Sequence, residues 1–190
     1  MSRYDRHQTR LILPFMGPFY ENFAKPLAHL GLRVVVGVML MMEGWPKIVA
    51  PFAQAGFTES LGFYPGWFWS AALAVMQFVG GLMIVVGFLT RPVVLANAVM
   101  LAVTLWFHVT HPYGDVFLSP EGMQTLSENA ALFSEAGLAN LRADGGALFL
   151  AQVQSKAEDL SLLWTVAALF LAAFGAGPIS VDRTILKREF

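Results

Sequence analysis

The stretch Leu27–Lys47, LAHLGLRVVVGVMLMMEGWPK, governs how the rest of the chain is read. A hydrocarbon core about 30 Å thick needs about 20 apolar residues in helical form, and this run supplies them. Yet Arg33 stands inside it, with Glu43, Trp45 and Lys47 at its far end. A charge at mid-membrane costs at least about 2.5 kcal/mol on insertion scales, so it faces protein or water and takes a partner. The remainder of the chain is expected to supply further apolar helices and polar groups at matching depths.

Composition agrees. Of 190 residues, 56% are hydrophobic and only 13% charged, and the mean hydropathy is +0.59. These values exclude an ordinary soluble domain and point to a membrane protein. The net charge of -1, with no basic tract, gives no sign of a nucleic-acid partner. The absence of cysteine excludes disulfides, thiolate-held iron–sulfur or zinc sites and redox-active dithiols. Redox chemistry would then need a bound cofactor or another subunit. The apolar piece Leu11–Met16 is short, broken by Pro14 and lacks a small-residue cleavage site, so no cleavable signal peptide is expected.

Outward from the opening stretch, residues 1–26 carry Arg3, Arg6 and Arg10 and then LILPFMGPFYENF, an interfacial lead-in or, alternatively, a recognition arm. The first span covers residues 27–45, with Pro46 ending or kinking it. A second span over 67–89 opens on an aromatic belt, Trp67, Phe68 and Trp69, and carries Gln77 in its interior with Gly80, Gly81 and Gly87 for close helix approach. The tight turn Thr90-Arg91-Pro92 makes a third span over 93–109 antiparallel to it, with Asn97 inside and His108 and His111 at its exit. Segment 112–159 is long, polar and acidic. Asp115, Glu121, Glu128, Glu135, Asp144, Glu158 and Asp159 stand there against Arg142 and Lys156. It is expected to be extracytoplasmic, with an amphipathic helix from Ser119-Pro120-Glu121 that lines up Leu126, Ala130, Phe133, Ala136 and Leu141. A fourth span over 160–175 leads to the basic tail 178–190. The distribution of Lys and Arg then places both termini in the cytoplasm. The expected fold is all-α: a polytopic membrane protein with one membrane domain, 27–177, forming an antiparallel four-helix transmembrane bundle, and no second domain.

Counting along the spans places Glu43, Gln77 and His108 roughly 21 to 26 Å from the inner boundary, in one layer near the outer face. Lys47 lies one turn beyond Glu43, and His111 one turn beyond His108. Two readings are open. In one, the layer is a pocket for a polar head group, with Glu43 and His108 passing protons while Lys47 and Gln77 hydrogen-bond carbonyl oxygens. In the other, Glu43 and Lys47 are an interfacial ion pair and the histidines sit among lipid head groups. Arg33 and Asn97 form an inner layer, where Arg33 links to Asn97 or to helix-end carbonyls, or snorkels inward. Haem is not expected, since His108 and His111 share one helix face and His29 lies near the other surface. A metal on Glu43, His108, His111 and Asp115 is conceivable, but HxxH is a weak signal and none is assigned. No phosphate loop, dinucleotide fingerprint or nucleophile elbow occurs.

Three stretches resemble the DoxX family of small four-helix membrane proteins. LRVVVGVMLMMEGWPKI, Leu32–Ile48, is similar to the family's first helix, with its Arg, its Gly and a Gly-x-x-Lys exit at Gly44 to Lys47. QFVGGLMIVVGFLTRP, Gln77–Pro92, is similar to its second helix and Arg-bearing turn. EDLSLLWTVAALFLAAFGAGPISVD is similar to its acidic entry to the fourth helix and closing Gly-x-Gly-x-x-Ser-x-Asp, here Gly175, Gly177, Ser180 and Asp182. The family is associated with quinone-linked oxidation, including the DoxD-type subunit of thiosulfate:quinone oxidoreductase. The resemblance implies that Arg33, Lys47 and Gln77 line a quinone or small-substrate site. Two departures stand out: Gln77 occupies a position where many members carry Glu, and the acidic loop exceeds the usual compact connection.

Together these readings lead to an inner-membrane subunit of a quinone-linked redox system in a bacterial cell. It would bind a quinone-type head group near the outer face through Arg33, Lys47, Gln77 and His111, with Glu43 and His108 as proton carriers. The alternative is a non-catalytic accessory subunit docked on a larger membrane complex through segment 112–159. A small-solute carrier ranks behind both, since four spans show neither an internal repeat nor paired broken helices. Whether the chain is itself an enzyme is left open, and no haem, iron–sulfur cluster or nucleotide is expected.

Overall fold

The structure, a computed structural model, describes residues 12–112, 124, 128, 131, 134–144 and 146–188. Among these residues there is no strand, and four helices are long and apolar enough to cross a membrane. The chain is thus an all-α, multi-pass membrane protein. In order, the helices are α1 (Gly17–Val49), α2 (Ala55–Ser60), α3 (Gly66–Val86), α4 (Thr90–Thr110), α5 (Glu135–Ala143), α6 (Ala147–Phe174) and α7 (Val181–Thr184). The expected helix start at Ser119-Pro120-Glu121 and the positions of Leu126, Ala130 and Phe133 lie outside the described residues, as do Arg3, Arg6, Arg10 and Asp115.

Three helices exceed the spans expected from the sequence: α4 takes in Thr90, Arg91 and Pro92, the residues expected to form the turn, because the turn falls at residues 87–89 instead, and α1 and α6 extend further, each for a local reason. α1 begins at Gly17 rather than Leu27, because a π turn over Tyr20–Ala24 leads into the regular stretch Lys25–Val49 with Pro26 at its first turn. A first-turn proline lacks only an N–H that has no intrahelical partner anyway. Pro46 likewise fails to end the helix, which runs on to Val49 with the Ala50 amide donating to the Pro46 carbonyl at 3.1 Å. α6 begins at Ala147, well inside the segment expected to be loop. Asp144 starts it, its carboxylate accepting from the Gly146 amide at 3.1 Å and the Leu148 amide at 2.9 Å. This is a side-chain N-cap, which satisfies amides that a helix start leaves orphaned.

The chain divides into two compact units, Met1–Val94 with Leu171–Phe190, and Leu95–Phe170. In the first, α1 buries Arg33, Val36, Gly37, Leu40 and Gly44, spaced three or four apart, as one face of a helix requires. That face packs on α3 at backbone distance. A Cβ on Gly37 would lie 2.7 Å from the Gly81 carbonyl oxygen, and one on Gly44 2.6 Å from the Phe78 amide nitrogen. Such contact between glycines lets two membrane helices associate through dispersion where the hydrophobic effect gives nothing.

Beyond α1, residues 50–65 fold against the start of α3. The Ser70 hydroxyl donates to the Pro51 carbonyl at 2.6 Å and accepts from the Gln54 amide at 3.2 Å. The Glu59 carboxylate accepts from the Gly66 amide at 2.8 Å. In the second unit, α6 meets α4 through Gln154, which donates to the His108 carbonyl at 2.7 Å, and Ser161, whose hydroxyl stands 2.9 Å from His108 Nδ1.

Candidate functional site

At one end of the first unit, residues 175–182 close over α1 and the α3–α4 turn. Gly175 and Gly177 have φ of 81° and 76°, a region that glycine enters without strain. Their turns aim carbonyls at α1. Arg33, only 2% exposed, donates through Nη1 to the Ala176 carbonyl and through Nη2 to the Ile179 carbonyl at 2.6 Å. His29 Nε2 stands 2.7 Å from the Gly175 carbonyl oxygen. Asp182, 2% exposed, accepts from the Leu89 amide at 2.8 Å and the Thr90 amide at 3.0 Å, so it caps α4. Its own amide donates to the Gly87 carbonyl at 2.9 Å. A Cβ on Gly87 would touch Arg33 Nη1 at 2.7 Å, so Arg33 and Asp182 flank one peptide. Of the two links open to Arg33, the structure shows the helix-end carbonyls. Asn97 is fully buried in the other unit.

The helix contacts fix the register of α1 on α3. Trp67 at the aromatic belt and Gly87 beside Arg33 lie about 20 residues apart on α3, which is about 30 Å, one hydrocarbon thickness. Gly44 meets α3 at Gln77 and Phe78. Glu43 and Gln77 therefore stand at one level along α1 and α3, a register set by the glycine contacts.

At this level the side chains differ. The Gln77 Oε1 atom is buried and has no hydrogen-bond partner among the described residues. The Lys47 ammonium donates to the Glu43 carbonyl at 2.9 Å and lies 4.0 Å from the Glu43 carboxylate. The Lys47 side chain is 18% exposed and that of Glu43 is 60% exposed. Trp45 packs on Phe78 with ring centroids 5.6 Å apart. The result is a buried acceptor with no donor among the described residues, an ammonium with donors to spare, and an open carboxylate.

The histidines belong to the second unit. His108 is held by Ser161 and Gln154, as described above. His111 is exposed, stacks on Phe107 at 4.6 Å and stands 2.8 Å from the Thr110 hydroxyl. Among the described residues, no three His, Asp or Glu side chains are grouped to hold a metal ion. The structure thus gathers Glu43, Lys47 and Gln77 into one unit, sets Arg33 apart from them in a structural lock, and places His108 and His111 in the other unit. Sequence reasoning missed Ser161, Gln154 and the capping role of Asp182. For Ser161 a signal existed, a hydroxyl inside an apolar run.

The comparison with curated proteins and the comparison with solved structures give no match. The family model DoxX matches residues 28–110. This segment carries Arg33, Glu43, Lys47, Gln77 and His108, while Ser161 and the closing motif Gly175–Asp182 fall beyond it. Over residues 28–110, which carry its first three membrane-spanning helices, the chain is similar to the DoxX family of membrane proteins.

Proposed function

We propose that the protein is an integral subunit of a quinone-linked redox system in a bacterial inner membrane, with both termini cytoplasmic and a quinone-type head group held where α1 and α3 carry Glu43, Lys47 and Gln77. The observation that carries this reading is the Gln77 Oε1 atom, buried without a partner among the described residues. An unsatisfied buried acceptor costs about 1 to 3 kcal/mol, and a ligand hydroxyl would remove that cost. A quinone, when bound, supplies two-electron, two-proton chemistry that the cysteine-free chain does not itself provide. Lys47 can donate to a carbonyl oxygen, Gln77 can accept from a hydroxyl, and the exposed Glu43 carboxylate can exchange protons.

The test is to purify the chain from native membranes in nanodiscs and to quantify extracted quinone and quinol per chain by mass spectrometry. Gln77→Leu should lower the retained quinol, whose hydroxyl can donate to Oε1, and Lys47→Met the retained quinone, whose carbonyl can accept from the ammonium, each about tenfold, the equivalent of one lost hydrogen bond in a dry site. If both variants retain as much as the parent chain, the reading fails.

A second reading, an accessory subunit without chemistry of its own, is favoured by the way His108 and Arg33 are used. The His108 ring and carbonyl bind α6, and Arg33 binds carbonyls, so both polar groups are spent on holding helices together. On that reading the isolated chain carries no quinone and co-purifies stoichiometrically with a larger membrane complex.

A further inference from the structure

Residues 50–69 read as a connection between helices, yet they carry the marks of a segment that has left water. Phe52 is 60% exposed, Tyr64 71% and Trp67 58%, and Phe57, Phe68 and Trp69 are exposed with them. So many large apolar side chains together exceed the scattered exposure of a soluble loop. Glu59 is the one charged residue between Lys47 and Arg91. Its carboxylate is turned onto the Gly66 amide.

The polar backbone is paired inward as well. The Thr58 hydroxyl donates to the Ala55 carbonyl at 2.9 Å and stands 3.1 Å from the Gly66 carbonyl, and the Phe63 amide donates to the Thr58 carbonyl at 3.0 Å. The Ala53 and Ala55 amides donate to the Ala50 and Phe52 carbonyls, and Ser70 holds Pro51 and Gln54. Non-helical backbone tolerates low water only when its groups are satisfied in this way. The segment also runs directly into two membrane-spanning helices, α1 ending at Val49 and α3 beginning at Gly66.

We infer that residues 50–69 form an interfacial wedge, seated in the head-group region of the bilayer with Phe52, Phe57, Tyr64 and Trp67 directed into lipid. The occupant of this apolar surface is the lipid itself. Continuity with the Trp67–Trp69 belt, the absence of unpaired charge and the amphipathic nature of tyrosine and tryptophan all match that zone. The wedge would hold the outer ends of α1 and α3 at a fixed depth.

The chain has no cysteine, so single-cysteine variants report without background. Phe57→Cys and Tyr64→Cys, spin-labelled in the full chain and reconstituted in phosphatidylcholine vesicles, should place the label about 5 to 10 Å below the phosphates by relaxation with oxygen against a water-soluble nickel chelate. Asn140→Cys, on α5, is the aqueous reference. Labels at 57 and 64 as accessible to the nickel chelate as that at 140 would overturn the inference. So would protection from the chelate that disappears on dilution to one chain per vesicle, since a second copy would then be the cover. Both substituted side chains are exposed, and a variant with Trp45, Trp106 and Trp164 replaced by Phe permits an independent check: the emission of its remaining Trp67 and Trp69 should be quenched by shallow brominated lipids more than by deep ones.

Discussion

Replacing Asp182 by Ala should be among the most damaging single changes available in this chain. The carboxylate is 2% exposed and accepts from two backbone amides, those of Leu89 and Thr90, at 2.8 and 3.0 Å. Removal leaves two donors at the α4 start without partners, at about 2 kcal/mol each. It also removes the anion across the Gly87 peptide from the buried Arg33 guanidinium, and a buried charge deprived of compensation adds to the loss. The amide terms alone give about 4 kcal/mol, and at about 2 to 4 °C per kcal/mol for a chain of this length the midpoint of thermal unfolding should fall by about 8 to 16 °C. Asp182→Asn keeps one acceptor oxygen and should lose about half as much. The assay is thermal unfolding in detergent or nanodiscs followed by tryptophan emission. An Asp182→Ala midpoint within about 1 °C of the parent chain would refute the capping argument, because two buried amides cannot lose their acceptor without a measurable cost.

Further outcomes follow from the same geometry. Gly44→Val should separate α1 from α3 and lower the unfolding midpoint strongly, since its Cβ would lie 2.6 Å from the Phe78 amide nitrogen. Gly31→Ala meets nothing within 4 Å and should be neutral or stabilising by up to about 1 kcal/mol in the same assay. Gln77→Leu removes a buried oxygen that lacks a partner among the described residues, so chain stripped of lipid-soluble molecules should be no less stable, while quinol retention falls. Ser161→Ala should cost about 1 kcal/mol by taking the partner from His108 Nδ1. Infrared difference spectra of the imidazole would report the change of partner.

The four membrane helices were legible because apolar runs of bilayer length leave a hydropathy signal that needs no tertiary information. The demand of Arg33 for a partner was legible for the same reason, whereas the partner's address was not. The Ala176 and Ile179 carbonyls lie more than a hundred residues along the chain, and backbone acceptors carry no sequence signature. Gly175, Gly177, Ser180 and Asp182 could be named as a motif, but only the fold shows that the glycines turn carbonyls toward α1 and that the aspartate caps α4. Helix ends suffered from the ambiguity of proline. Pro26 and Pro46 are both tolerated, one in a first turn and the other in a last turn. For the candidate site, the residue types at the level of Glu43 and Gln77 were readable from the spans. The register of α1 on α3 was not, because it depends on which glycine of α1 meets which backbone atom of α3.

The π turn at Tyr20–Ala24 has a mechanical consequence. α1 contains 33 residues, about 50 Å of helix against about 30 Å of hydrocarbon, so a surplus of about 20 Å must emerge or bend away. The wide turn falls within that surplus. One extra residue per turn offsets the angular phase of everything before it, so the face bearing Phe15, Phe19 and Phe23 is geared independently of the face bearing Arg33, Gly37 and Gly44. Deleting a single residue there would rotate the leading aromatic segment by about a quarter turn while leaving the membrane-embedded packing of α1 on α3 untouched.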